Sequence, residues 1–288
     1  MMASFGRLIR FADAGGKARF GEPNVTSLAA FEEAVAQGTL EATVFEGSTI
    51  SNVTPTSEVA KVKQVLPLLT ADDVPIVKCV GLNYIKHIQA GGRKPPPYPS
   101  IFIKPRASVA GFAEDIPIPK LAQDERLDYE GELCIVIGKT GKDIPPSSAL
   151  SHIAGFVSSN DVSARKWQRD PAYAGGWCFS KGFDKFAPLG PLLVSPKIVG
   201  NAGNLRLQTL VNGEVRQDTN TSDLLFNTEK IVSFISQGTT LEAGTVIMTG
   251  TPVSVAMGMK EPKWLKDGDV VEVRIEELGS VKNKMVFE

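Results

Sequence analysis

Several residue types that build soluble catalytic centres are scarce in this chain. It holds two histidines, His87 and His152, and three cysteines, Cys79, Cys134 and Cys178, in 288 residues. The cysteines stand apart inside apolar runs with no C-x-x-C spacing, so they read as buried, reduced thiols in a reducing compartment. No run of eighteen apolar residues exists, which removes a membrane-spanning helix. Charge of one sign is also missing. With 31 basic and 32 acidic residues the net charge is -1, so no basic face is implied and a nucleic-acid or membrane-surface partner is not expected. There is no internal repeat and no low-complexity segment. What remains is a partner of the small-molecule kind.

A hydrophobic content of 42% is ample for a packed core, and the length suits one large domain or a small one followed by a large one. The pattern favours the second arrangement, a small α+β unit over residues 1–70 and a larger unit over 71–288. Leu8-Ile9-Arg10-Phe11 and Ala18-Arg19-Phe20, joined by Asp13-Ala14-Gly15-Gly16, predict a hairpin. Ser27 is placed to cap a helix from Leu28 to Gln37 that stops at Gly38. Ala42 to Glu46 reads as a strand, and the Ser/Thr/Asn-rich piece Gly47 to Ser57 as a connection. The first twenty residues are basic and lack a secretory apolar core. A cytosolic location is expected, with a mitochondrial one as the alternative.

The chemistry concentrates in LDYEGELCIVIGK, residues 127–139. Glu130 and Glu132 lie two apart in an alternating, β-branched run, so on a strand both carboxylates leave one face, about 6.5–7 Å apart. Two crowded acids repel unless a cation sits between them, and oxygen ligands alone suit a hard ion such as Mg2+, Mn2+ or Ca2+. Asp161, preceded by the cap-type residues Ser158, Ser159 and Asn160, is expected at a helix start, where the dipole keeps a carboxylate ionised. Arg165 and Gln168 follow it at helical spacing.

Other residues carry weaker signals. Lys181 alternates with Phe179 and Phe183 on an expected strand, and a lysine facing inward between aromatics needs a negative group to meet. His87 follows the strand Ile76 to Gly81 and precedes Gly91-Gly92-Arg93-Lys94-Pro95-Pro96-Pro97, a glycine hinge with a stiff proline arm that reads as a lid. Lys104, on the strand Ile101 to Pro105, suits an active-site charge, a lid anchor or a solvated face. His152 reads as structural. Thr249-Gly250-Thr251-Pro252 forms a turn after an apolar strand, with hydroxyls and N–H groups suited to a substrate carboxylate. The rest is scaffold: a hairpin over Leu205 to Gln217 turning at Asn212-Gly213, a helix capped by Ser222 running toward Ile235, and closing strands Val270 to Ile275 and Leu278 to Phe287.

Six motifs in order, VGLNYIKHI, PSIFIKPRASVAG, DYEGELCIVIGK, NDVSARKWQ, SKGFDKFAPLGP and MTGTPVSVAMG, resemble the fumarylacetoacetate hydrolase superfamily over residues 76–288. The resemblance implies a mainly β (α+β) fold, a mixed β-sandwich roll, after a small N-terminal extension. It implies metal ligation by Glu130, Glu132 and Asp161, a catalytic role for Lys181, substrate contacts from Arg165, Gln168 and Thr251, and a homodimer. In its carbon–carbon-cleaving members the lid carries H-x-x-E, a histidine base oriented by a glutamate. Here the segment is His87-Ile88-Gln89-Ala90, with Gln89 and Glu114 as candidate replacements for the missing partner. The expected reaction is divalent-metal-dependent hydrolysis of a carbon–carbon bond in a 2-oxo acid or 1,3-dicarbonyl, through an enolate. The alternative is a decarboxylase, lyase or keto–enol tautomerase with no need for the dyad, and a third reading is a silent metal-binding homologue.

Overall fold

A computed structural model describes residues 4–169 and 176–288. Strands dominate. The first hairpin forms over Arg7–Ala12 and Ala18–Pro23, and the helix Leu28–Gln37 starts where the Ser27 hydroxyl accepts from the Ala30 N–H at 3.2 Å and ends at Gly38, φ 65°. That is a side-chain cap and a left-handed stop, as the local sequence dictates. The stretch expected to be a mere connection differs: Thr54–Lys61 is a strand that pairs with Glu41–Glu46.

The largest sheet has eleven strands. Its order runs from Thr54–Lys61 through Glu41–Glu46, Ala18–Pro23, Arg7–Ala12, Leu193–Val194, Ile153–Asn160, Gly131–Ile137, Val246–Met248 and Val77–Gly81 to Ser100–Lys104, with Gln64–Leu66 pairing beside Arg7–Ala12. The strands of the first seventy residues therefore continue into the sheet of the rest, through Arg7 opposite Val194 and Leu8 opposite Leu193. A second sheet of five strands contains the hairpin Arg206–Val211 and Glu214–Asn220, then Val270–Ile275, Gly279–Phe287 and Ile116–Ile118. Its tight turn is Asn212-Gly213, with φ 51° and 84°, the positive values a type I′ turn requires.

Gly131–Ile137 is buried along its whole length, and successive side chains serve different layers. Leu133, Ile135 and Ile137 pack in one core with Leu207, Val273, Ile275 and Val281 of the second sheet. Cys134 and Val136 point the other way, into a core with Val77, Cys79, Phe102 and Met248. Glu132 shares the parity of Cys134, so a carboxylate stands where the pattern otherwise puts an apolar side chain. This two-sheet, mainly β architecture is the fold the motifs implied.

Two helices depart from expectation. The helix near the C-terminal third is Thr228–Ile235, capped by Asn227, whose side chain accepts from the Lys230 N–H at 3.1 Å; Ser222 lies earlier, in a short 3-10 turn. Trp177–Lys181 is helical rather than extended, and it leaves Cys178 exposed while Cys79 and Cys134 are buried.

Candidate active site

The acidic run is not one continuous strand. Leu127–Asp128 pairs with Ser163–Ala164, Tyr129 and Glu130 fall between ladders, and pairing resumes at Gly131. The break is held by backbone bonds: the Asp161 N–H donates to the Glu130 carbonyl at 2.8 Å, and the Asn160 side chain accepts from the Glu130 N–H at 2.9 Å. Asp161 is thus delivered by the end of the strand Ile153–Asn160, not by a helix N-terminus, and Ser158, Ser159 and Asn160 are strand residues. The short helix begins at Arg165. Strand register, not a helix start, places Asp161.

Glu130, Glu132 and Asp161 converge, each offering a carboxylate oxygen within 4.8 Å of the others, and all three are buried. Three cations meet them. The Lys181 ammonium, 2% exposed, lies 2.6 Å from Glu130 Oε2, from Asp161 Oδ2 and from Ser163 Oγ. Lys104 Nζ, fully buried, is 2.5 Å from Asp161 Oδ1 and donates to the Phe186 carbonyl. Arg165 spans Glu130 Oε1 at 2.5 Å, Asp128 Oδ2 at 2.8 Å and Gln168 Oε1 at 2.9 Å. Lys104 is therefore not a solvated lysine but a buried charge beside Asp161.

Counting Asp128, four buried carboxylates face three buried cations, which leaves one negative charge uncompensated. The imbalance falls on Glu132. Burial, with Asp161 and Glu130 nearby, pushes its carboxyl well above the usual range. Glu130 goes the other way: burial opposes its charge, but Arg165 and Lys181 outweigh burial and hold the carboxyl far below its ordinary value. Lys181 stays an ammonium because Asp161 and Glu130 overcome the burial that would deprotonate it. Asp161 Oδ1 is buried and accepts no aligned hydrogen bond despite its close ammonium. A buried all-oxygen donor set with surplus negative charge and an unsatisfied oxygen fits a hard divalent cation.

Around this floor lies a small cleft of about 40 Å³ walled by Val80, Gly81, Leu82, Phe102, Trp177 and Met257, with His87, Arg165, Gln168 and Thr251 also lining it. The residues read as metal ligands, catalytic groups and substrate contacts therefore reach one place. In the Thr-Gly-Thr-Pro turn the Gly250 N–H donates to Glu132 Oε2 at 2.7 Å, and the Thr251 hydroxyl donates to the Gly131 carbonyl and accepts from Gln217 Nε2, both at 3.0 Å, so the turn orients the Glu132 carboxylate. Gly250 has φ 101°, and a Cβ there would meet the Val80 carbonyl and Asn83 at 3.0 Å, which only glycine avoids.

His87 sits in a helix, Ile85–Ala90. Glu114 pairs with Lys185 at 3.1 Å and does not line the cleft. His152 Nδ1 lies 3.0 Å from the Lys139 carbonyl, in keeping with its structural reading. Asp128 was missed by the sequence reading, although it extends the alternation to Asp-x-Glu-x-Glu. It anchors Arg165 and also accepts from the backbone N–H groups of Ala256 and Met257 at 2.8 and 3.2 Å. Ser163 carried no sequence signal.

Comparison with known proteins shows the family of this chain. The family model described as fumarylacetoacetate (FAA) hydrolase C-terminal matches residues 76–286. The mitochondrial oxaloacetate tautomerase of Homo sapiens is 43% identical over 210 residues, a match spanning 73% of this chain and 66%, just under two thirds, of that relative. The crystal structure of a 2-hydroxyhepta-2,4-diene-1,7-dioate isomerase from Mycobacterium marinum superposes with a TM-score of 0.79 at 30% identity, covering 100% of this chain and 99% of that one. A 5-carboxymethyl-2-hydroxymuconate delta-isomerase from Mycobacterium smegmatis gives a TM-score of 0.79 at 31% identity over 98% and 100%. With its two-sheet fold, its buried Glu130, Glu132 and Asp161 and a family match across nearly three quarters of its length, the chain belongs to the fumarylacetoacetate hydrolase family.

Proposed function

We propose that this protein is a divalent-metal-dependent enolising enzyme for 2-oxo acids, a keto–enol tautomerase of the oxaloacetate type. The observation that carries the reading is a complete enolate-stabilising floor with His87 lining the same cleft and alanine, not glutamate, at position 90. Glu130, Glu132 and Asp161 would hold Mg2+ or Mn2+, with Ca2+ the third candidate, and the ion would supply Lewis acidity to the substrate. The chain's own groups do the rest. Lys181 holds its positive charge beside the oxygen on which negative charge grows, where a fixed cation in a dry site stabilises the transition state strongly. Arg165, clamped between Asp128 and Glu130 and steadied by Gln168, fixes the substrate carboxylate.

Tautomerisation carries one proton between C3 and oxygen and activates no water, so a single imidazole suffices for the transfer. Hydrolysis asks His87 to deprotonate water, which the family's glutamate assists. At position 90 stands alanine, where those family members carry glutamate. The names of the similar proteins, a tautomerase and two isomerases, also support proton transfer ahead of the carbon–carbon hydrolysis that motif frequency put first. A homodimer in the cytosol remains part of this proposal. Among the described residues no helix is long and apolar enough to cross a membrane.

The deciding experiment follows the ultraviolet absorbance of enol-oxaloacetate and of an acylpyruvate with protein stripped by chelator and reloaded with Mg2+ or Mn2+. Metal-dependent decay of the oxaloacetate enol without release of pyruvate, and no cleavage of the acylpyruvate, is expected. Two acid products from the acylpyruvate would return the assignment to hydrolysis.

A further inference from the structure

Gln217 is a buried amide that the chemistry above does not use. It belongs to the second sheet, on the strand Glu214–Asn220, and does not line the inner cleft. In a regular strand residues 215 and 217 would share a face. Here Thr209 stands opposite Gln217 and Leu210 opposite Val215, so Arg216 is the extra residue of a β-bulge. The bulge inverts the expected pattern: the apolar Val215 is 49% exposed and the polar Gln217 only 1%. Re-aiming one side chain in this way is what a bulge does.

Gln217 is aimed at the strand that carries the acids. Gly131 lies between Glu130 and Glu132, and the adjacent strand Val246–Met248 pairs with Cys134, Ile135 and Val136. At Gly131 that edge has no ladder partner, and its buried peptide groups need other ones. Side chains supply them. Gln217 Oε1 accepts from the Gly131 N–H at 3.0 Å, and the Thr251 hydroxyl donates to the Gly131 carbonyl at 3.0 Å. Gln217 Nε2 reaches Thr251 Oγ1 at 3.0 Å and the Pro252 and Val253 carbonyls at 3.2 and 3.3 Å. One N–H and two carbonyls fix which end of the amide is which. The fit is close, since a Cβ on Gly131 would run into the Thr209 hydroxyl and come within 3.3 Å of Gln217 Oε1.

A single amide therefore ties together the two pieces of chain that shape the acidic floor. One is Glu130-Gly131-Glu132; the other is the turn whose Gly250 N–H donates to Glu132 Oε2 at 2.7 Å. We propose that Gln217 is a positioning residue for the metal site, holding Glu130 and Glu132 in register with the turn at 250–253 from a sheet that contributes no ligand. This rests on metal ligation by Glu130, Glu132 and Asp161 and goes beyond it to the group that preorganises two of the three. Gln217 acts through the ligands and not on the substrate.

The test measures Mn2+ binding to chelator-stripped protein through the electron paramagnetic resonance signal of the free ion, a readout independent of turnover. Gln217→Met, which nearly keeps the volume and removes both ends of the amide, should raise the Mn2+ dissociation constant about 10–100-fold, the usual effect of losing a group that orients metal ligands. Gln217→Asn, one methylene short, should shift it in the same direction and serves if the Met variant does not fold. Leu207→Ala, a core truncation in the same hairpin, lowers stability without touching the amide and should leave Mn2+ affinity unchanged. Gln217→Met and Thr251→Val should be less than additive in a double-mutant cycle, because both act through Gly131. Unchanged affinity in the Gln217 variants, an equal loss in Leu207→Ala, or full additivity overturns the positioning role while the metal reading stands. If Glu132→Gln also binds Mn2+ as the parent does, the metal reading falls and takes the positioning role with it.

Discussion

At the residue scale the site is governed by one unbalanced charge. Glu132 is the carboxyl raised above its ordinary pKa, by burial first and by Asp161 and Glu130 next, so in metal-free protein it carries a proton at pH values where a free glutamate does not. Metal requires the carboxylate. Binding of Mg2+ or Mn2+ should therefore release protons, and affinity should fall as pH drops through the raised pKa. Calorimetric titrations in two buffers of different ionisation enthalpy measure the release, and an absence of proton release would mean that Glu132 is not a ligand. Lys181 predicts the complementary result. Lys181→Met should lower kcat about 10²–10³-fold, as removing one preorganised charge-stabilising donor does, with a smaller change in KM. An equal loss in KM would assign Lys181 to ground-state binding. Glu130 and Glu132 were legible in the sequence as a pair because alternation alone puts them on one face, without regard to distant partners. Lys104's engagement was not, since its partner Asp161 lies 57 residues away and nothing local specifies the contact.

At the scale of elements, the sequence was read well where a local cap or turn decides the outcome and poorly where tertiary packing does. Ser27, Gly38 and Asn212-Gly213 acted as their chemistry dictates. The Lys181 segment did not: Phe179 and Phe183 alternate with it, yet the segment is helical, and the ring of Phe179 meets Trp167 and Phe183 edge-on at 5.2 and 5.3 Å. Aromatic packing against a neighbouring helix overrode a period-two pattern of three residues. The same helix makes a specific demand on the strand Val77–Gly81. A Cβ on Gly81 would lie 2.1 Å from the Trp177 ring, whose other side faces Phe102 at 5.3 Å. Gly81→Ala should cost about 1–3 kcal/mol, the usual range for overpacking, and should push the indole toward the inner cleft that it lines. Denaturant midpoints read the first effect and Trp fluorescence the second. An unchanged midpoint would show that the ring has space to yield.

For the whole molecule, the question is whether the first seventy residues are a unit of their own. Local patterning suggests so, because their hairpin, helix and strands close on themselves in sequence. The packing runs across that boundary. Arg7–Ala12 pairs with Leu193–Val194, Ile9 and Phe11 share a core with Leu133, Ile135 and Phe156, and Phe5, Leu8 and Phe20 share another with Val77, Cys134 and Val157. These contacts join residues at least 57 and mostly more than a hundred positions apart, a distance at which no periodicity in the chain could have announced them. Two cores that each draw side chains from both segments should melt together, because opening either segment exposes apolar surface in both. Scanning calorimetry should therefore show one transition, with calorimetric and van't Hoff enthalpies in agreement, and a chain beginning at residue 71 should lose cooperative folding through the uncovered edge at Leu193–Val194. Two separate transitions in the intact protein, or a cooperative melt of the shortened chain, would show that the shared sheet is an interface between independent domains.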